Sequence, residues 1–109
     1  MNLTIKPLES FTKSIKKLTK KYKNIAQDLK VLQDELRNNP EAGIKLGNYC
    51  YKIRVANSSI PTGKSGCFRV VYYQKIENTI YLMEIYSKSD MENITDEKIL
   101  EILKNNGLG

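Results

Sequence analysis

Two kinds of periodicity divide the chain. Phe11, Ile15, Leu18 and Tyr22 recur at helical spacing and predict an amphipathic helix from about Ser10. Ile25, Leu29, Leu32 and Leu36 repeat the pattern in a second helix. Asn24 is placed to cap it, with Gln27 at the return position. Asn38-Asn39-Pro40 ends it, because the residue before proline is driven out of the helical region. The short link between the helices predicts an αα-hairpin. Ahead of them, Leu3-Thr4-Ile5-Lys6 reads as a short strand closed by Pro7.

The middle of the chain changes to strand periodicity. After a loop from Glu41 to Asn48, the stretches Tyr49 to Val55 and Cys67 to Tyr73 predict the arms of a β-hairpin. Its connection, about Ala56 to Gly66, is long enough to suggest a functional loop. Ile80 to Lys88 predicts a third strand. Both parities of that strand are mostly apolar, as in a central strand covered on two sides. A last helix starts at a Thr95 N-cap, with Ile94 and Ile99 as a hydrophobic staple and Asp96 and Glu97 in its first turn. Ile99, Ile102 and Leu103 form its buried stripe, and Asn105-Asn106-Gly107 ends it. The expected order is β-α-α-β-β-β-α, an α+β domain spanning residues 1–109.

Alternation fixes which strand side chains share a face. Tyr51, Ile53 and Val55 point one way and are continued by Phe68, Val70 and Tyr72. Lys52, Arg54 and Arg69 point the other way. Adjacent cations repel unless an anion covers them, so this face reads as a phosphate site on a rigid sheet. Glu84 is the acid expected to pair with these cations, and one carboxylate cannot neutralise three. Tyr86 and Lys88 end the third strand, with Tyr86 either a base-stacking ring or a core-edge tyrosine.

Charge extends this picture. The net charge is +6. Residues 1–37 carry nine Lys/Arg against four Asp/Glu, residues 38–89 seven against three, and residues 90–109 two against five. Lys13, Lys16, Lys17, Lys20, Lys21 and Lys23 line the polar side of the first helix. They form either a solvated face or a polyanion-binding surface. The basic surplus permits RNA, DNA or an acidic protein as partner, with an anionic membrane less favoured.

Several classes drop out. The sequence lacks a long apolar run and a signal-peptide h-region, so no membrane span is expected and the cytoplasm is the expected compartment. Thr62-Gly63-Lys64-Ser65 imitates the end of a phosphate-binding loop. The leading glycine is replaced by Ser58, and a strand follows where a helix should, so nucleotide hydrolysis is rejected. Lys64 remains a candidate loop cation. Cys50 and Cys67 read as reduced thiols, without metal spacing or a disulfide framework. The chain has no histidine. Acid–base chemistry is then expected from Lys, Arg, Tyr or a carboxylate, without a zinc site of the usual kind.

Three stretches together resemble the RelE/ParE toxin superfamily, and within it the HigB-like branch. They are Tyr51-Lys52-Ile53-Arg54-Val55-Ala56, Gly63 to Tyr73, and Ile80 to Asp90, with an echo in Asn39-Pro40 and Gly43. The resemblance implies a small RelE-like fold, a helical hairpin packed on a mainly antiparallel sheet with a C-terminal helix. It implies the toxin of a type II toxin–antitoxin system, a metal- and cofactor-independent endoribonuclease that cuts mRNA in the ribosomal A site and so inhibits translation. An acidic antitoxin and the ribosome are the implied partners. Carried over by position, Lys52, Arg54, Arg69 and Lys88 are the implied catalytic set. Lys64, Tyr86, Lys13, Lys16, Lys17 and Lys20 are candidate RNA contacts. The chain departs from RelE at Ser89, where an arginine is expected, and near Thr95, where a catalytic tyrosine is expected. Cys67 stands where HigB-like relatives often have glycine. Two alternatives remain: a ParE-like toxin that binds DNA gyrase, and a non-catalytic nucleic-acid-binding module.

Overall fold

The computed structural model describes residues 3–61, 66–76, 78–91 and 93–109. In chain order it contains β1 (Thr4–Pro7), α1 (Glu9–Lys21), α2 (Ile25–Asn38), β2 (Ile44–Gly47), β3 (Cys50–Val55), β4 (Phe68–Tyr73), β5 (Thr79–Ser87) and α3 (Asp96–Asn105). The strands form one sheet in the order β1-β5-β4-β3-β2. β1 runs parallel to β5, and the other neighbours are antiparallel. No helix among the described residues is long and apolar enough to cross a membrane.

Most expected elements are present, and one was missed. Residues 44–47 form a strand where a loop was expected. β2 is exposed along its whole length, so no apolar alternation marks it. It exists because β3 offers it a ladder: Ile44 pairs with Lys52 and Lys45 with Tyr51. The tight return to β3 takes Gly47, Asn48 and Tyr49 through positive φ angles of 92°, 52° and 64°.

Each sheet face has its own core. On one face, Phe11, Ile25, Leu32 and Leu36 of the helical hairpin pack with Ile53, Val55, Phe68, Val70, Tyr72 and Ile85. Tyr51 and Tyr72 stack there with ring centroids 5.1 Å apart. The Tyr72 hydroxyl donates to the Pro40 carbonyl at 2.9 Å and accepts the Gly43 N–H at 3.0 Å. A Cβ on Gly43 would lie 2.9 Å from the Lys52 carbonyl oxygen, so the chain can pass this close only as glycine. On the other face, Ile99, Ile102 and Leu103 of α3 cover Cys50, Val71, Tyr73, Met83 and Tyr86.

The register of β4 and β5 slips once. Val71 pairs with Glu84 but Tyr72 pairs with Leu82, leaving Met83 as the extra residue of a bulge. Met83 enters the α3-side core. Glu84 accepts a hydrogen bond from the Ser14 hydroxyl of α1 and another from the Ile85 N–H at 3.0 Å. The expectation that Glu84 neutralises the hairpin cations is therefore corrected: its partners are α1 and its own strand.

Helix ends follow expectation in one case and depart from it in another. Thr95 caps α3, its Oγ1 accepting the Lys98 N–H at 3.1 Å. Asn24 is the N-cap residue of α2, but its side chain makes no cap hydrogen bond. Its Nδ2 instead donates to the Ser58 carbonyl at 3.3 Å, and its N–H donates to the Ser59 hydroxyl at 2.9 Å. Buried Asp28 joins this contact by accepting the Ser58 N–H at 3.1 Å. The start of the hairpin connection is thereby fastened to α2.

Candidate RNA-cleavage site

β3 and β4 bring the expected cations together. Arg54 lies directly opposite Arg69, and Lys52 lies opposite Val71, one pair along the same face. On the other side of β4, Arg69 pairs with Tyr86. The ladder ends where the Lys88 N–H donates to the Cys67 carbonyl at 3.1 Å, so Lys88 and Cys67 stand side by side. Lys52 and Arg54 thus come from β3, Arg69 from β4 and Lys88 from the residue that follows β5, at and beyond the margin of the surface covered by α3.

Their environments differ. Arg54 and Lys88 are exposed, and Lys52 is half-buried. Arg69 is only 9% exposed. The Lys52 ammonium donates to Asn93 Oδ1 at 3.1 Å, a neutral acceptor that leaves its charge in place. Like charges directly opposite each other destabilise a sheet, by about 0.5 kcal/mol or more for such a pair. Among the described residues the ion pairs are Lys13–Glu9, Lys21–Asp90 and Lys98–Glu101, none of which involves the four cations. A cluster held together against its own repulsion, with exposed members, is suited to an anion with several charged oxygens.

One contact at this site escaped the sequence reading. The Arg69 guanidinium donates from Nη1 to Cys67 Sγ. Partial burial pushes the Cys67 thiol up, but hydrogen bonds and charges from Arg69 and Arg54 outweigh it and hold the thiol below its ordinary value. Cys50, on the same sheet face under α3, is pushed up to about 11 by burial alone. The available signal was spacing: Cys67 precedes Arg69 by two, so strand parity places both side chains on one face. Cys67 itself lies just before β4, not within it.

Other expected site residues separate. Tyr86 is 4% exposed and packs with Ile99 and Ile102, and its hydroxyl accepts the Ile94 N–H at 3.3 Å. In this arrangement its ring is a core element and offers no open face for stacking a base. Two lysines of the row have acidic partners, Lys13 with Glu9 at 3.0 Å and Lys21 with Asp90 at 3.3 Å. The helix begins at Glu9, one residue before the expected start, and that residue is the first of these acids. Lys16, Lys17 and Lys20 are exposed along α1. Lys64 lies outside the described residues. Ser89 Oγ is 2.8 Å from Ser87 Oγ, and Thr95 is occupied as the α3 cap.

Comparison with known proteins bears on the family and the fold. The family model for the RelE toxin of the RelE/RelB toxin–antitoxin system matches residues 10–106. No curated protein matches by sequence. Among solved structures, an arginine-to-alanine double mutant of E. coli toxin RelE in the free state aligns with a TM-score of 0.58 at 18% identity. That alignment covers 96% of this chain and 98% of the other, so the likeness of fold extends over the whole domain. With the family model spanning both helical layers and the cation-bearing strands, the chain belongs to the RelE toxin family.

Proposed function

We propose that this toxin is a ribosome-dependent endoribonuclease of the HigB-like kind, cutting mRNA in the A site without a metal ion or organic cofactor. The observation that carries the reading is the quartet of Lys52, Arg54, Arg69 and Lys88, none of which is ion-paired among the described residues, with Arg54 directly opposite a nearly buried Arg69. RNA cleavage by its own 2′-hydroxyl needs in-line geometry and stabilisation of charge growing on the phosphoryl oxygens. The ribosome contributes the first by holding the mRNA. Fixed guanidinium groups contribute the second without reorganising at the moment of reaction.

These positions support the following assignment of roles. Arg69, held by its surroundings, stabilises the reacting phosphate. Arg54, opposite and exposed, clamps the neighbouring phosphate. Lys52 adds charge stabilisation at the same face, and Lys88 stands beside the leaving 5′-oxygen. Lys16, Lys17 and Lys20 grip ribosomal RNA. An acidic antitoxin silences the protein by covering this basic surface, and the site of action is the cytoplasm, where ribosomes are.

The test adds purified protein to ribosomes programmed with mRNA in the A site and maps the cuts by primer extension. Naked mRNA and a DNA gyrase supercoiling assay run in parallel. The reading expects cuts on programmed ribosomes and few on naked mRNA. Intact mRNA with poisoned gyrase supports the ParE-like alternative. Intact mRNA with active gyrase, and binding that weakens steeply with salt, supports a non-catalytic nucleic-acid binder.

A further inference from the structure

The quartet supplies positive charge, and its two arginines are hydrogen-bond donors only. Lys52 Nζ donates to Asn93 Oδ1 at 3.1 Å, and a guanidinium offers hydrogen-bond donors without an acceptor lone pair. Among the described residues, the Glu84 carboxylate is engaged with Ser14 and the Asp90 carboxylate with Lys21.

Cys67 is a further titratable group in the cluster. Its thiol receives the Arg69 Nη1–H, and it is only partly buried. Arg54 stands opposite Arg69, one diagonal step from Cys67 across the β3–β4 ladder. Lys88 is hydrogen-bonded to the Cys67 backbone from the β5 side. The charged neighbours contributed by β3, β4 and the end of β5 are therefore all cations. Arg69 is nine-tenths buried, and among the described residues no carboxylate pairs with it. Sulfur occupies the place that a carboxylate ordinarily takes beside a buried guanidinium.

We infer that Cys67, whose Sγ accepts from Arg69 with Arg54 a diagonal step away, is in its deprotonated form the proton acceptor for the 2′-hydroxyl in the cleavage step. The inference rests on the endoribonuclease reading and adds a catalytic residue to it. Sγ takes the 2′-hydroxyl proton as the 2′-oxygen bonds to phosphorus and the bond from phosphorus to the 5′-oxygen breaks. The leaving 5′-oxygen takes a proton from the Lys88 ammonium. The products are a 2′,3′-cyclic phosphate and a 5′-hydroxyl. The thiol then gives its proton to water and Lys88 regains one, which restores the starting charges. The downward direction of the thiol's shift agrees with the role.

Two measurements test this. The first follows iodoacetamide alkylation of the wild-type protein against pH, with the modified residue located by mass spectrometry. Cys67 is expected to react with a midpoint below that of an ordinary thiol, while Cys50 stays unreacted near neutral pH. The second measures single-turnover cleavage on programmed ribosomes against pH for wild type, Cys67→Ser and Cys67→Ala, with folding checked by circular dichroism. Serine can still accept the Arg69 hydrogen bond but is not a base at these pH values, so Cys67→Ser separates orientation from proton transfer.

The expected result is a fall of about 100-fold in Cys67→Ser, the scale of a lost general base. The acid limb of the wild-type profile should coincide with the alkylation midpoint and vanish in the variant. An ordinary alkylation midpoint overturns the inference. So does a folded Cys67→Ser that cuts within about threefold of wild type and keeps the acid limb, and in both cases wild-type cutting leaves the nuclease reading standing. Wild-type protein that cuts no mRNA at any pH removes the reaction itself, and the inference falls with the proposed function.

Discussion

The two ends of one sheet face contrast sharply. At one end, α3 covers Cys50, Val71, Tyr73 and Met83 with Ile99, Ile102 and Leu103. At the other, Arg54 and Arg69 face each other across the ladder, with Cys67 and Lys88 beside them. The same strands build both ends. The covered end gains stability from apolar burial, at about 25 cal/mol per Å² removed from water. The open end gives up some stability to charge repulsion and gathers cations on one face. The two cysteines report the difference: burial alone raises Cys50 to about 11, while two arginines lower Cys67. Helix coverage, more than the strands themselves, separates scaffold from site.

The largest effect should come from the open end. Arg69→Ala is expected to lower the single-turnover rate on programmed ribosomes by about 100-fold to 1,000-fold, as for removal of a fixed charge-stabilising donor. Thermal melting should show little loss of stability, because the change also relieves the repulsion from Arg54. A large drop in melting temperature would mean that Arg69 is a scaffold residue and would erase the contrast.

The covered end should behave in the opposite way. Met83→Ala empties a fully buried position and is expected to cost about 2–4 kcal/mol in a denaturant titration. Its single-turnover rate should stay near wild type wherever the variant is folded. Gly43→Ala should cost about 1–3 kcal/mol, because its Cβ meets the Lys52 carbonyl oxygen and the Tyr72 hydroxyl. It lies next to a site residue, so it also sharpens the comparison. A shift confined to the β2–β3 ladder would leave melting lowered and cleavage reduced only modestly.

The smallest effect is alkaline. Cys50 titrates in the unfolded chain near 9 and in the folded one near 11. Its folded value is raised, so its contribution to stability is complete below about 9 and is lost as pH rises toward about 11. Tyr72, raised by burial to about 12, adds to the loss at the upper end. Melting temperature should decline through this window, and Cys50→Ala should flatten the first part of the decline. Cys67, with its lowered value, acts in the opposite sense, and its contribution disappears as pH falls through its folded value. A decline unchanged by Cys50→Ala would mean that the covered end does not hold its thiol dry.

What was legible in the sequence follows the same division. Hydrophobic period located both hairpin helices, the hairpin strands and the apolar β5, because each buries a repeating stripe. Parity placed Lys52, Arg54 and Arg69 on one face before any coordinates. β2 was not legible, since its strand state is supplied by β3 and leaves no mark on its own side chains. The Met83 bulge was also hidden, and with it the diversion of Glu84 toward Ser14. Parity gave Tyr86 the correct face but not its cover, which comes from the chain around Ile94 and from α3. Cys67 was passed over because thiols were judged by metal and disulfide spacing, whereas its chemistry comes from the arginines beside it.

The central claim is that the open, cationic end of the sheet cuts mRNA on the ribosome. The most direct measurement is primer extension on programmed ribosomes with wild type and the Arg54→Ala/Arg69→Ala double variant, matched for melting temperature. The account predicts A-site cuts from wild type and none above background from the folded double variant. Cuts that persist at the wild-type rate in the double variant would contradict it and place the chemistry elsewhere on the molecule.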